Sequence, residues 1–186
     1  GLHVATMLGM AEAYGLEDTD VVGGISAGAI LASFLGSYKR ECDGLSALKE
    51  ILLHNKLSPQ YKFLNVVLSL LFKPSFYTTD KISKILKAHL SEQHRRVMVG
   101  TTEEKSMTYN LLEYGRKANS SSSMPLWQAC LSSMSAPGVF PGVDVGSKHF
   151  VDGGLFHSLP IEAICKVLDE CAEKKEKLEL VVFNTN

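Results

Sequence analysis

The stretch from Asp20 to Leu31 reads DVVGGISAGAIL and contains the turn on which the predicted fold depends. Its first four residues are predicted to form a short strand, apolar as a buried parallel strand would be. After Ser26, small residues lead into apolar positions at helical spacing, which predicts a helix over residues 27–38. A serine between such a strand and such a helix lies on a sharp corner, with its hydroxyl exposed at the carboxyl end of the sheet. The pattern makes Ser26 a candidate nucleophile.

The residues around Ser26 also suit the stabilisation of a developing negative charge. Gly24 and Gly28 are expected because side chains there would collide with the neighbouring strand and helix. The start of the following helix, at Ala27 and Gly28, would place unpaired N–H groups near an oxyanion. The motif alone is short, and a tight packing turn or a phosphate cradle at a helix N-terminus are alternative interpretations.

Helical and strand patterns alternate through most of the chain, which favours an α/β fold with a mainly parallel sheet. No linker divides the 186 residues, so we expect a single domain over residues 1–186. Residues 43–90 lack strand patterns and are interpreted as an insertion. Predicted helices cover residues 4–14, 27–38, 45–52, 82–90, 127–134 and 161–172, and predicted strands cover 20–23, 96–101, 106–112, 149–151 and 178–183.

Charge and cysteine content argue against a nucleic-acid-binding protein and against a protein held together by cysteine-bound metal or disulfides. The 19 basic and 20 acidic residues give a net charge of −1, which argues against a nucleic-acid surface. Four cysteines show no metal-ligand spacing, and they are interpreted as unpaired thiols in a reducing compartment. They are Cys42, Cys130, Cys165 and Cys171.

Neither a signal peptide nor an apolar run long enough to span a bilayer occurs in the sequence. The chain begins at Gly1 inside a predicted helix and ends just after a predicted strand, so we expect both ends to be cut from a longer protein. The expected location is the cytoplasm or the periphery of a membrane, although targeting signals could lie beyond the ends.

A second candidate site follows 126 positions after Ser26, at Asp152-Gly153-Gly154. It comes directly after the predicted strand at 149–151, but Asp-Gly is also a common turn whose carboxylate bonds its own backbone. Upstream of it, residues 133–141 read SMSAPGVFP.

The order of these motifs resembles the patatin-like phospholipase family over nearly the whole chain. Residues 22–29 resemble that family's G-x-S-x-G-A serine elbow, and residues 133–141 its S-x-A-x-P-x-x-F-P stretch. Asp152 begins the match to its D-G-G motif, and Pro160 follows at the usual offset. Gly1 takes the place of the last glycine of the family's glycine-rich loop, which would lie upstream.

The resemblance implies a three-layer α/β/α sandwich and a lipid acyl hydrolase of phospholipase A type. It implies that Ser26 attacks the ester and that Asp152 takes the serine proton directly, with no histidine, metal or cofactor. The expected partner is a lipid or phospholipid, not nucleic acid. The backbone that surrounds the oxyanion and the rest of the site would belong to Gly1, Ala27, Gly28, Gly153 and Gly154. Without the upstream loop, activity is expected to be poor.

A second departure from the family pattern, besides the missing loop, leaves alternatives open. His157 and Ser158 stand where family members often carry Asn, and His157 or His149 could complete a Ser-Asp-His triad. A short-chain esterase or an acyltransferase would use the same serine. A non-catalytic domain that binds lipid or a partner protein could keep the same fold.

Residues 61–72 are apolar nearly all round and too short to span a bilayer. They could line an acyl pocket, contact a membrane surface or form a helix buried in the core. Three lysines on the next predicted helix, Lys81, Lys84 and Lys87, are interpreted as a solvated face.

Overall fold

The computed structural model describes residues 2–54, 79–116, 118 and 124–185. The elements within these residues follow the order of the chain. They are α1 (Leu2–Tyr14), β1 (Val21–Ile25), α2 (Ala27–Ser37), α3 (Glu41–Leu53), α4 (Asp80–His89), β2 (Arg96–Glu103), β3 (Thr108–Tyr114), α5 (Leu126–Ser133), β4 (Val143–Val145), β5 (Lys148–Asp152), a 3₁₀ turn (Gly153–Leu155) and α6 (Ile161–Lys174).

The five described strands form one sheet around β2. Along one edge of β2, β3 pairs antiparallel over residues 97–103. Along the other edge, β1 pairs parallel with residues 96–100, and β5 pairs antiparallel with residues 101–103. The short strand β4 then pairs antiparallel with β5.

The carboxyl ends of β1 and β5 therefore meet on one edge of β2. Ile25, the last residue of β1, lies opposite Gly100. Asp152, the last residue of β5, lies opposite Thr101. Because the two strands run toward each other along this edge, their ends are adjacent although they are more than a hundred residues apart in sequence.

Helices cover both sides of β1. A side chain on Gly23 would point toward Ala163 of α6, whereas one on Gly24 would run into the backbone of α2. Since successive strand residues point to opposite faces, α2 and α6 lie on opposite faces of this strand. On its own face, α2 packs on β1 and β2 and is joined there by α5.

A buried ion-pair network attaches α6 to the sheet. The guanidinium of Arg96 in β2 donates to Glu113 of β3 at 2.8 Å and to Glu170 of α6 at 2.8 Å. Lys166 of α6 also donates to Glu113. Burial alone would raise the pKa of Glu113, but the bonds from Lys166 and Arg96 lower it by more. The pKa of Glu113 is therefore lowered overall. These paired charges fix how α6 sits over the strands.

Most of the predicted elements are confirmed within a few residues at their ends. The described sheet is mixed, with one parallel and three antiparallel pairings, whereas the sequence predicts a mainly parallel sheet. Apolar runs show that a strand is buried but not in which direction its neighbour runs. The three-residue strand β4 was too short to be predicted.

One other predicted element differs from the structure, and one predicted segment lies outside it. Residues 178–183 form no strand, because their backbone makes no ladder with β1 in the described part of the chain. The apolar segment 61–72 lies outside the described residues. All four cysteines are free thiols.

Candidate active site

Ser26 occupies a turn of one residue between β1 and α2. Its φ of 54° and ψ of −121° place a non-glycine residue on the positive-φ side of the backbone map. Such a conformation costs about 1–3 kcal/mol and persists only where the surroundings hold it. The predicted position between strand and helix is confirmed, with the strand ending at Ile25 and the helix beginning at Ala27. The residue is half-buried.

The two glycines flanking Ser26 differ in what they permit. A Cβ on Gly24 would lie 2.2 Å from the backbone carbon and oxygen of Gly28, so only glycine fits there. A Cβ on Gly28 would meet only the Met7 sulfur, at 3.9 Å. The predicted collision is therefore confirmed for Gly24 and wrong for Gly28. A side chain would fit at Gly28, and it is the backbone of Gly28 that lies close to Gly24.

Asp152 ends β5 and is 7% exposed. Its Oδ1 accepts a hydrogen bond of 2.8 Å from the N–H of Gly154, and its own N–H donates to the carbonyl of Ser135 at 3.0 Å. The turn after it is tight, since a Cβ on Gly153 would lie 2.5 Å from the carbonyl oxygen of Gly100. Gly153 and Gly154 thus shape the carboxylate's surroundings, and the Gly154 N–H is occupied by Asp152.

The structure brings Ser26 and Asp152 together. Burial raises the pKa of the Asp152 carboxyl above its usual range, against smaller lowering effects from the Gly154 N–H and from a hydrogen bond with the Ser26 side chain. The net direction means that removal from water outweighs both bonds. A carboxylate with a raised pKa is a stronger base than an exposed one, and its partner here is a serine hydroxyl.

A cleft of about 1080 Å³ opens beside this pair. One side is formed by residues 19–28, including the outer edge of β1, and the other by residues 177–185. Ser26, Asp152 and His157 all line it. It is slightly larger than the roughly 300–1,000 Å³ that is typical of pockets for small organic ligands.

The two histidines considered for a triad lie in different places. His157 lines the cleft, and its ring packs edge-on against Tyr109 with centroids 4.9 Å apart. His149 bonds Asp144 through Nδ1 at 2.6 Å. The carboxylate nearest to His149 in these contacts is therefore Asp144 and not Asp152.

Two serines that sequence reasoning left without a role contact the candidate pair. Ser133 Oγ accepts a bond of 2.9 Å from the Ser26 N–H, and the carbonyl of Ser135 accepts the Asp152 N–H. Both belong to the stretch at 133–141 that carries the family resemblance. Backbone partners of this kind leave no periodic pattern in a sequence, so only their place in that stretch could have drawn attention to them.

Gly1 and the segment 61–72 lie outside the described residues, so the structure adds nothing on them. Within the described part of the chain, no cluster of three His, Cys, Asp or Glu side chains could hold a metal ion. Among the same residues, no helix has the length and apolarity needed to cross a membrane.

Residues 1–164 match the patatin-like phospholipase family. The chain belongs to this family. The match runs from the helix before the serine turn through the Asp152 turn and into α6, so it includes both members of the candidate pair. Among curated proteins, none matches the chain. Family membership means an α/β fold and a relationship to hydrolases that act on lipid esters.

The glycines of this patatin-like elbow provide a matched pair of substitutions. Gly24→Ala should lower the free energy of unfolding by about 1–3 kcal/mol, because the new methyl group overlaps the Gly28 backbone. Gly28→Ala should leave stability unchanged or raise it by up to about 1 kcal/mol, because alanine favours a helix. Urea unfolding of both variants measures the difference. Equal losses in the two would contradict this description of the turn.

Proposed function

We propose that the protein is a phospholipase A type lipid acyl hydrolase in which Ser26 is the nucleophile and Asp152 the base. The observation that carries the proposal is the meeting of a strained, half-buried serine and a buried carboxylate where β1 and β5 end on β2. A three-layer arrangement of the whole domain is part of the same proposal, and the positions of α2 and α6 on opposite faces of β1 support it.

In the first half of the reaction, Ser26 Oγ attacks the carbonyl carbon of the ester while its proton passes to the Asp152 carboxylate. The carbonyl oxygen becomes an oxyanion. When it collapses, the bond to the alcohol breaks and the alcohol leaves with the proton from Asp152. The fatty acyl group is then bound to Ser26.

In the second half, water attacks the acyl-enzyme and gives a proton to Asp152. The bond between the acyl carbon and Ser26 Oγ breaks, and the serine regains its proton from the carboxyl. The products are an alcohol and a fatty acid, and both residues return to their starting states. No other acid, base or cofactor is needed for the balance of atoms.

The backbone at the start of α2 is suited to the oxyanion. Ala27 and Gly28 are the first two residues of the helix, so their N–H groups have no acceptor within it. The positive end of the helix dipole adds to their effect. Ser26's own N–H is bonded to Ser133 and is not part of this set. The resemblance adds an upstream glycine-rich loop as a second source of donors.

Apolar side chains around the pair favour a lipid substrate. We name Leu155 and Phe156 the apolar rim: they follow the Asp152 turn and are 48% and 43% exposed. Leu155 lines the same cleft as Ser26 and Asp152, and Phe156 follows it in the chain. We propose that the rim contacts the acyl chain or the surface of a lipid aggregate.

A Ser-Asp-His triad is the second candidate mechanism, because His157 lines the same cleft. Three single variants and one double variant separate the two mechanisms. Ser26→Ala and Asp152→Asn should each reduce kcat for ester hydrolysis by at least about 1,000-fold, and the double variant should be little worse, because the two groups act as one unit. His157→Ala should keep most of the activity.

Hydrolysis rates of purified, folded variants give the answer. A loss in His157→Ala as deep as that in Asp152→Asn would favour the triad. Hydrolysis that survives Ser26→Ala would overturn both mechanisms. Lipid binding with no Ser26-dependent hydrolysis would instead point to a non-catalytic lipid-binding domain.

The pH dependence follows from the raised pKa of Asp152. Protonated Asp152 cannot accept the serine proton, so activity should fall as the pH drops through this pKa. Because the shift is upward, the midpoint should lie above the ordinary value of about 3.9 for Asp. The measurement is kcat/KM against pH on a soluble short-chain ester, with wild type and His157→Ala side by side. A midpoint at about 6.5 that disappears in His157→Ala would contradict the dyad.

The apolar rim predicts a difference between soluble and aggregated substrates. The double variant Leu155→Ser, Phe156→Ser should lose about tenfold or more of its activity on phospholipid vesicles, since about 1.5–3 kcal/mol is lost for each large apolar side chain that no longer enters an apolar surface. Its activity on a soluble short-chain ester should stay within about twofold of wild type. Leu168→Ser is the matched control, because Leu168 is 46% exposed on α6 and is not among the residues that line the cleft. Equal losses in the control and the double variant would contradict the role of the rim.

A further inference from the structure

The carboxyl end of α5 bonds the backbones of both Ser26 and Asp152. Ser133, the last residue of α5, is fully buried. Its hydroxyl accepts from the Ser26 N–H at 2.9 Å and donates to the carbonyl of Gly100 at 2.7 Å. Two residues later, the carbonyl of Ser135 accepts the Asp152 N–H at 3.0 Å. A segment of three residues therefore holds the two strand ends that meet on β2.

This segment is itself rigid. Ser135 Oγ donates to the carbonyl of Leu131 at 2.7 Å, and the Ser135 N–H donates to that of Ser132 at 3.0 Å. Both bonds continue the pattern of α5 beyond its last turn. Because α5 also packs on β2, the position of Ser133 is set by the body of the fold and not by the serine turn.

The conformation of Ser26 explains why such a partner matters. At φ 54° the residue is in a region that a non-glycine residue leaves unless it is held. β1 and β5 both pair with β2 and not with each other, so no ladder bond fixes Ser26 relative to Asp152. The Ser133 hydroxyl supplies a direct bond from the fold to the Ser26 backbone.

We propose that Ser133 is a positioning residue for the Ser26–Asp152 reaction, holding the serine in its strained turn so that its hydroxyl stays directed at the carboxylate. This inference rests on the proposed function. Ser133 itself does not touch the substrate, since it is buried beneath the turn. Its loss should therefore lower kcat and leave KM nearly unchanged.

The size of the effect follows from geometry. Without the Ser133 hydroxyl, the Ser26 N–H and the Gly100 carbonyl both lose a partner, and Ser26 is free to relax from positive φ. A displacement of about 1 Å at a reacting group costs on the order of 100-fold in rate. We expect Ser133→Ala to lower kcat by about 10- to 100-fold, with KM within about twofold of wild type.

Ser132 provides a matched control within the same helix. It is also fully buried, and its hydroxyl donates to the carbonyl of Ala129 at 2.9 Å, inside α5. Ser132→Ala removes the same atom from the same helix without touching the serine turn. Its kcat should stay within about threefold of wild type, because it loses a helix bond and not a site contact.

The experiment compares kcat and KM of wild type, Ser133→Ala, Ser132→Ala and Ser26→Ala in the full-length protein on a soluble short-chain ester. A kcat of Ser133→Ala equal to that of Ser132→Ala would overturn the role of Ser133, provided that Ser26→Ala is inactive. Activity retained by Ser26→Ala would overturn the proposed function itself. If Ser133→Ala does not fold, Ser133→Cys takes its place, because the thiol keeps the volume but is a weak donor and acceptor.

Discussion

Gly100 and Thr101 of β2 are the point at which β1 and β5 arrive from opposite directions. The close packing there leaves no room for a larger residue: a Cβ on Gly100 would lie 2.2 Å from the Tyr109 hydroxyl, and one on Gly153 would lie 2.5 Å from the Gly100 carbonyl oxygen. The same carbonyl accepts the Ser133 hydroxyl. The strand ends cannot come closer together, and their pairing with β2 holds them in place, so the residues that follow them have defined positions.

The two candidate residues are each held in an unfavourable state. Ser26 has a strained backbone, and Asp152 is a carboxyl group removed from water, which raises its pKa. Neither state would persist in an isolated turn. The sheet junction, the carboxyl end of α5 and the N–H of Gly154 together maintain them. In the proposed mechanism, this strain and burial expose the nucleophile and strengthen the base.

Local patterns in the sequence predicted the parts of the site that depend on local structure. Ser26 between a strand and a helix follows from a change of apolar spacing on either side of it. The pairing of Ser26 with Asp152 came from the family resemblance, since no periodicity relates residues so far apart. The direction of β5 and the bonds made by Ser133 depend on long-range packing, which leaves no repeating signal. Gly28 shows the converse error, because a glycine in a motif was credited with a steric role that its surroundings do not require.

Trapping of the acyl-enzyme tests the central claim most directly. The full-length protein is mixed with a 4-nitrophenyl fatty ester, quenched in acid within the first turnovers, and its peptides are weighed by mass spectrometry. The account predicts a mass increase of one acyl group on the peptide that contains Ser26, absent in Ser26→Ala and formed far more slowly in Asp152→Asn. An acyl group on a different residue, or rapid hydrolysis with no adduct on the Ser26 peptide, would contradict it.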